Sequence, residues 1–222
     1  MFRSLLVAAT AVAAISLAPA AHAGIITESA SFGYSQTPIT GQVLNLIGYV
    51  GMGGVQPLTS VDVTISEFVR GSVTGTNTNT PAPGSAGTFN SGVMDTLTVI
   101  SQPSPLSFAG LSSISSLSGL RSVPVNGFVT VSNLTGSSSD SQTATTGLGS
   151  FASPWSMTFD DVGSFLGSAS SNVILSAVTD GRVTVDVTYH FQDSTEVPEP
   201  MTLGVLATGL IGLGLARRRR AG

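Results

Sequence analysis

A hydrolytic triad in this chain would have to use His190, because the other histidine, His22, lies close to the N-terminus. Around His190 the apolar residues Val183, Val185, Val187, Tyr189 and Phe191 alternate with Asp186, Thr188, His190 and Gln192. In a strand this period of two puts the two sets on opposite faces, so His190 is expected on the solvent side. No G-x-S-x-G elbow is present to present a serine to it. Zinc needs three or four His, Cys or carboxylate ligands, and one histidine in a cysteine-free chain does not supply that set.

Carboxylates are the other chemistry-bearing groups. Glycoside hydrolysis needs two of them flanking one bond. Asp160 and Asp161 are adjacent, so on a strand they point to opposite faces. In a loop they could chelate calcium with a carbonyl or Asp180, although no D-x-D-x-D-G loop is present. Asp62 and Glu67 read as separate parts of one edge pattern. Trp155 shares its phase with Met157 and Phe159, which assigns it to a core rather than to a sugar-stacking platform. Thr74, Thr76, Thr78 and Thr80 recur at every second residue, the spacing of flat ice-binding faces, but the run occurs once and ends in a proline-rich loop. No catalytic, cofactor or metal residue is assigned on these grounds, and the expectation is a protein that is not an enzyme and carries no cofactor.

The elements that would position these residues are strands. Val61, Val63 and Ile65 alternate with polar residues until Glu67-Phe68, where the phase breaks and a bulge or turn is expected. Leu97 and Val99 continue a pattern begun at Val93. Val123, Val125, Val129 and Val131 flank Asn126-Gly127, a hairpin-turn or bulge signal. Asp180-Gly181 reads as the turn before the final strand. Residues 74–92 and 136–150 read as loops, and residues 160–166 as a single helical turn. Eight or nine short strands of this kind suggest an all-β, jelly-roll-like β-sandwich. No internal repeat points to a solenoid or propeller.

Composition narrows the function classes. The 173 residues from Gly24 to Glu196 suffice for one domain with a core. Their cations are Arg70, Arg121 and Arg182 against eleven acidic residues, and lysine is absent throughout. Such a field repels nucleic acid. The absence of cysteine excludes disulfides and thiol chemistry.

Both ends read as targeting signals. Arg3, an apolar stretch over residues 5–17, Pro19 and then Ala21-His22-Ala23 form a secretory signal peptide, residues 1–23, cleaved before Gly24. At the other end Val197-Pro198-Glu199-Pro200 leads into sixteen apolar residues, 201–216, and Arg217-Arg218-Arg219-Arg220. Sixteen residues make a helix of roughly 24 Å, slightly short of a hydrocarbon core, with arginine stems able to snorkel. The arginines stay cytoplasmic, which places residues 24–196 outside. The prolines keep the tetrapeptide extended, as protease recognition requires.

Tetrapeptide, apolar run and basic cluster, in that order at the C-terminus, resemble the PEP-CTERM sorting tail. The resemblance implies that Pro198, Glu199 and Pro200 are recognised by a membrane-embedded exosortase and that Arg217 to Arg220 stop transfer. It implies an exported protein, anchored at least transiently in the inner membrane by a C-terminal transmembrane helix, and then delivered to the cell surface or extracellular matrix. Exopolysaccharide is the implied partner. More diffusely, Leu58-Thr59-Ser60-Val61-Asp62-Val63-Thr64-Ile65 and Val183-Thr184-Val185-Asp186-Val187-Thr188-Tyr189 resemble the choice-of-anchor group, which has no chemistry to carry over. The expected function is a non-enzymatic surface or matrix protein associated with exopolysaccharide or biofilm. The alternatives are a glycan-binding, calcium-dependent lectin-like module, a carbohydrate-active enzyme and an ice-binding protein.

Overall fold

Valine and threonine favour pleated, half-buried surfaces, and the chain uses them in long strands. The computed structural model describes residues 22–79 and 85–193. Its compact unit runs from Gly24 to Phe191; a second unit, Met1–Ala23 with Gln192–Gly222, lies almost wholly outside the described residues. The expected signal peptide (Ala21 at its cleavage site), the motif Pro198-Glu199-Pro200, the anchor helix and Arg217 to Arg220 all fall there, while Ala23 lies within the first strand. Among the described residues no helix is long and apolar enough to cross a membrane.

Among the described residues nine strands form two antiparallel sheets, an all-β arrangement with the architecture of a sandwich. The first sheet has the order β1-β9-β3-β7, built from β1 (His22–Gln36), β3 (Leu58–Asn77), β7 (Phe128–Ala144) and β9 (Val173–Asp193). The second has the order β2-β8-β4-β5, built from β2 (Ile39–Leu46), β4 (Gly87–Ser101), β5 (Leu111–Ile114) and β8 (Trp155–Ala169), with β6 (Arg121–Val123) also pairing with β4. A 3₁₀ turn at Leu148–Phe151 is the one helical element among the described residues.

The core fills the space between the sheets in two apolar clusters. The larger joins Val61, Val63, Ile65, Leu97, Met157, Phe159, Val183, Val185, Val187 and Tyr189; the smaller holds Val69, Val73, Phe89, Val93, Val123 and Val173. Trp155 is in the core, as its phase with Met157 and Phe159 predicts.

Five local expectations are overturned. Of the loop expected at residues 74–92, residues 74–77 belong to β3 and residues 87–92 to β4. At Glu67-Phe68 the phase is unbroken: β3 continues with Glu67 inward and Phe68 outward, and the irregularity falls between Gly71 and Val73. Asp180-Gly181 makes no turn, since β9 passes straight through with Asp180 opposite Arg70 and Gly181 opposite Val69. Residues 136–144 belong to β7 rather than a loop because their serines and threonines line its solvent face. Residues 160–166 are strand, held between β2 or β4 by ladder hydrogen bonds. In addition, Asn126 does adopt a left-handed conformation (φ 55°), but its turn carries the chain from β6 in one sheet to β7 in the other, so it is not a hairpin.

Candidate functional site

Between the two apolar clusters lies a layer of carboxylates. Glu67 enters it from β3, between Ile65 and Val69; Asp95 from β4, between Val93 and Leu97; Asp161 from β8, two residues beyond Phe159. All three have zero relative exposure. One oxygen from each lies within 4.8 Å of the others. Cross-strand register explains the meeting. In one sheet Asp161 stands opposite Leu97 and Asp95 opposite Gly163, so the two acids are diagonal neighbours on the inward face; Glu67 faces them from the other sheet.

Gly181 leaves space that these groups fill. A Cβ on Gly181 would lie 1.9 Å from Asp161 Oδ2 and 2.7 Å from Asp95 Oδ2. A Cβ on Gly163 would lie 1.8 Å from Thr179 Oγ1, a hydroxyl that is itself hydrogen-bonded to Thr37 Oγ1. Ser113 Oγ donates to Glu67 Oε2 at 3.0 Å. No hydroxyl, amide or cationic side chain among the described residues bonds Glu67 Oε1 or the carboxyl oxygens of Asp95 and Asp161; the two aspartates lie close enough to interact with each other, and the Thr96 backbone amide stands beside Asp95. No arginine of the described residues neutralises these carboxylates. Arg70 pairs with Asp180 at 3.1 Å and lies over the Tyr34 ring, Arg182 lies over Phe68, and Arg121 is exposed.

Burial without compensation disfavours the ionised form. It pushes Glu67 up to about 8, with the neighbouring Asp95 charge adding to the effect and the Ser113 hydrogen bond opposing it. Asp161 is pushed up to about 9, first by burial and then by Asp95. Asp95 is raised as well, chiefly by burial. Two chemical states satisfy such a layer: retained protons, one of them shared between Asp161 and Asp95, or a hard cation bound by the oxygens. With no exposed surface the trio offers no cleft to a sugar, so its proximity does not make a glycosidase pair.

The residues singled out from sequence go elsewhere. Asp160 and Asp161 diverge as strand neighbours must: Asp160 Oδ1 accepts from Gly41 N at 2.7 Å on the outer face, so the two do not chelate together. Asp180 is occupied by Arg70. His190 Nε2 lies 2.7 Å from Asp62 Oδ2, and Thr143 Oγ1 donates to Asp62 Oδ1 at 2.6 Å. The Thr143 bond, more than His190, holds Asp62 below the usual carboxylate range. This pair lies on the outer face, where the apolar alternation had put His190. Thr74 bonds Thr130 across strands at 2.8 Å, while Thr80 lies outside the described residues. The carboxylate layer was missed although a signal existed. Glu67, Asp95 and Asp161 each occupy the inward phase of an otherwise apolar alternation.

A second polar group is built around the tryptophan. Trp155 Nε1 donates to Tyr189 Oη at 3.1 Å, and Tyr189 Oη donates to Glu28 Oε2 at 3.0 Å. Glu28 in turn accepts from the amides of Ile47 and Gly48. This network ties β1, β8, β9 and the segment after β2 together.

No protein-family model and no curated protein matches the chain. Among solved structures, a T13 IBDV viral particle aligns at 14% identity and a TM-score of 0.17, over 76% of this chain and 39% of that one. The VP2 subviral particle of infectious bursal disease virus aligns at 16% identity and a TM-score of 0.19, over 81% of this chain and 41% of that one. The chain thus spans about two-fifths of the length of these structures.

Proposed function

We propose that the chain is an exported, non-enzymatic β-sandwich protein, sorted by a PEP-CTERM tail to the cell surface or extracellular matrix and associated there with exopolysaccharide. The finer fold reading is a jelly roll between a cleaved signal helix and a C-terminal transmembrane helix. Support for the jelly roll comes from the strand order β1-β9-β3-β7 facing β2-β8-β4-β5, which interleaves early and late strands as paired Greek keys do. The sorting part rests on Pro198-Glu199-Pro200, the sixteen apolar residues after it and Arg217 to Arg220.

The observation that carries the polysaccharide part is the outer face of the first sheet. Across β7, β3 and β9 its side chains stand in rows, Thr143-Asp62-Thr188, Ser141-Thr64-Asp186 and Ser139-Ser66-Thr184, each one residue wide per strand. Hydroxyls and carboxylates at this density suit hydrated sugar chains, which offer hydroxyls of their own. A glycan-binding module is the second reading, favoured by a polar concavity of about 400 Å³ beside Arg70, Asn133 and Asp180 at the same face.

Two experiments separate sorting from binding. Replacing Pro198, Glu199 and Pro200 by alanine should retain the protein in the inner membrane, with intact mass showing residues 217–220 still attached. Surface delivery by that variant would overturn the sorting reading. The full chain should also be retained by extracted exopolysaccharide, and Asp62→Ala/Thr64→Ala/Asp186→Ala should weaken retention. Equal retention would remove the face from the account.

A further inference from the structure

We propose that Glu67, Asp95 and Asp161 together bind one calcium ion between the two sheets, where it cross-links the sandwich from inside. This goes beyond the sorting reading and does not depend on it. The first observation is geometric. Calcium holds its oxygen ligands at about 2.3–2.6 Å, so two ligands on opposite sides of one ion are just under or about 5 Å apart. The three carboxylates place one oxygen each within 4.8 Å of one another, from two strands of one sheet and one of the other.

The second observation is independent of that spacing. Both oxygens of Asp161 and Oε1 of Glu67 are buried, with no hydroxyl, amide or cationic side chain among the described residues bonded to them; Asp161 has only the carboxyl of Asp95 beside it. Nearly all buried polar atoms have a partner, and a buried charge is paired or coordinates a metal. No cationic side chain among the described residues fills that role, as the arginines show. Room is provided by Gly181, where any Cβ would collide with Asp161 and Asp95.

The donor set selects the ion. Oxygen alone, without nitrogen or sulfur, favours a hard cation over zinc or copper. Magnesium demands a small octahedron and usually keeps several waters, whereas calcium accepts irregular and bidentate carboxylate ligation, and three carboxylates supply six oxygens for it. Occupied in this way, the site would hold β3 against β4 and β8. Chelation would therefore loosen the fold rather than release a ligand from the outer face.

The test uses the full chain in detergent micelles, stripped with EDTA and then dialysed against calcium or magnesium chloride. Metal content is read by mass spectrometry and unfolding by the fluorescence of Trp155, the sole tryptophan. One calcium per chain is expected, with the midpoint raised by roughly 5–10 °C at a hundredfold excess over Kd. Magnesium at equal concentration should give a small fraction of that shift. Glu67→Gln/Asp95→Asn/Asp161→Asn should bind under a tenth as much calcium and lose the shift, while Asp160→Asn, on the outer face, should keep both. No bound metal and no shift on the folded wild-type chain would overturn the proposal, whatever the variants do. So would a shift that survives the triple substitution, and an equal response to magnesium would overturn the assignment of calcium.

Discussion

Gly181 of β9 lies beneath Asp161 of β8 across the sandwich, so close that a single added methyl would stand 1.9 Å from its Oδ2. The absence of a side chain on one sheet is what admits a carboxylate from the other. Gly181 has an ordinary strand conformation, so its role here is space and not backbone freedom.

Gly181→Ala should consequently destabilise the fold by about 1–3 kcal/mol, the usual cost of overpacking a close-packed interior. Chemical denaturation of the metal-free chain measures it. Unchanged stability would mean that the carboxylate layer yields without cost and is not tightly packed.

In EDTA the sandwich should lose stability as pH rises. Glu67 and Asp161 are raised from 4.5 to about 8 and from 3.8 to about 9. Between those limits the folded chain binds more protons than the unfolded one, so stability falls with increasing pH. The contribution of these two groups is complete below the unfolded values and is lost as pH passes through the folded ones. Glu67→Gln/Asp161→Asn should flatten the fall. Midpoints measured from about pH 5 to 9 that do not decline in the wild-type chain would contradict it.

Tyr189→Phe should cost about 1–3 kcal/mol, because it leaves the buried Trp155 indole N–H without its acceptor and removes one of the three donors to Glu28. The loss should appear as an earlier denaturation midpoint with an unchanged slope. Trp155 emission reports the same site directly.

The outer-face pair is expected to matter little to stability. Asp62 and His190 are both partly exposed, and such pairs contribute about 0–1 kcal/mol. His190→Ala should shift the midpoint by no more than that. A larger loss would mean that His190 supports β3 against β9 beyond its contact with Asp62.

How far the sequence could be read depends on whether a signal was local. Val183 to Phe191 was legible as a strand because its alternation is complete within nine residues, and Trp155 was placed by Met157 and Phe159 in the same way. The helical turn expected at residues 160–166 and the turn at Asp180-Gly181 failed for a shared reason. Asp and Gly are common turn formers, yet here they are strand residues: Asp161 and Gly181 face the core, and Asp160 and Asp180 face the outer surface. Glu67 misled through polarity: an acid in the core phase looks like a break in the strand until its partners are known.

By itself the sequence determined the period-two alternation, the all-β class, the acidic and cysteine-free composition, and the order of apolar and charged segments at the two ends. These follow from residue type and short-range spacing, which is all that local sterics and solvation require. Only the tertiary structure brought Glu67, Asp95 and Asp161 together. They stand 28 and 66 residues apart along the chain, and their meeting depends on register, on the pairing of two sheets and on the space left by Gly181 of a fourth strand. Burial then changes the chemistry of groups that would be ordinary carboxylates in water, and burial is a property of the packed fold rather than of any segment of the chain.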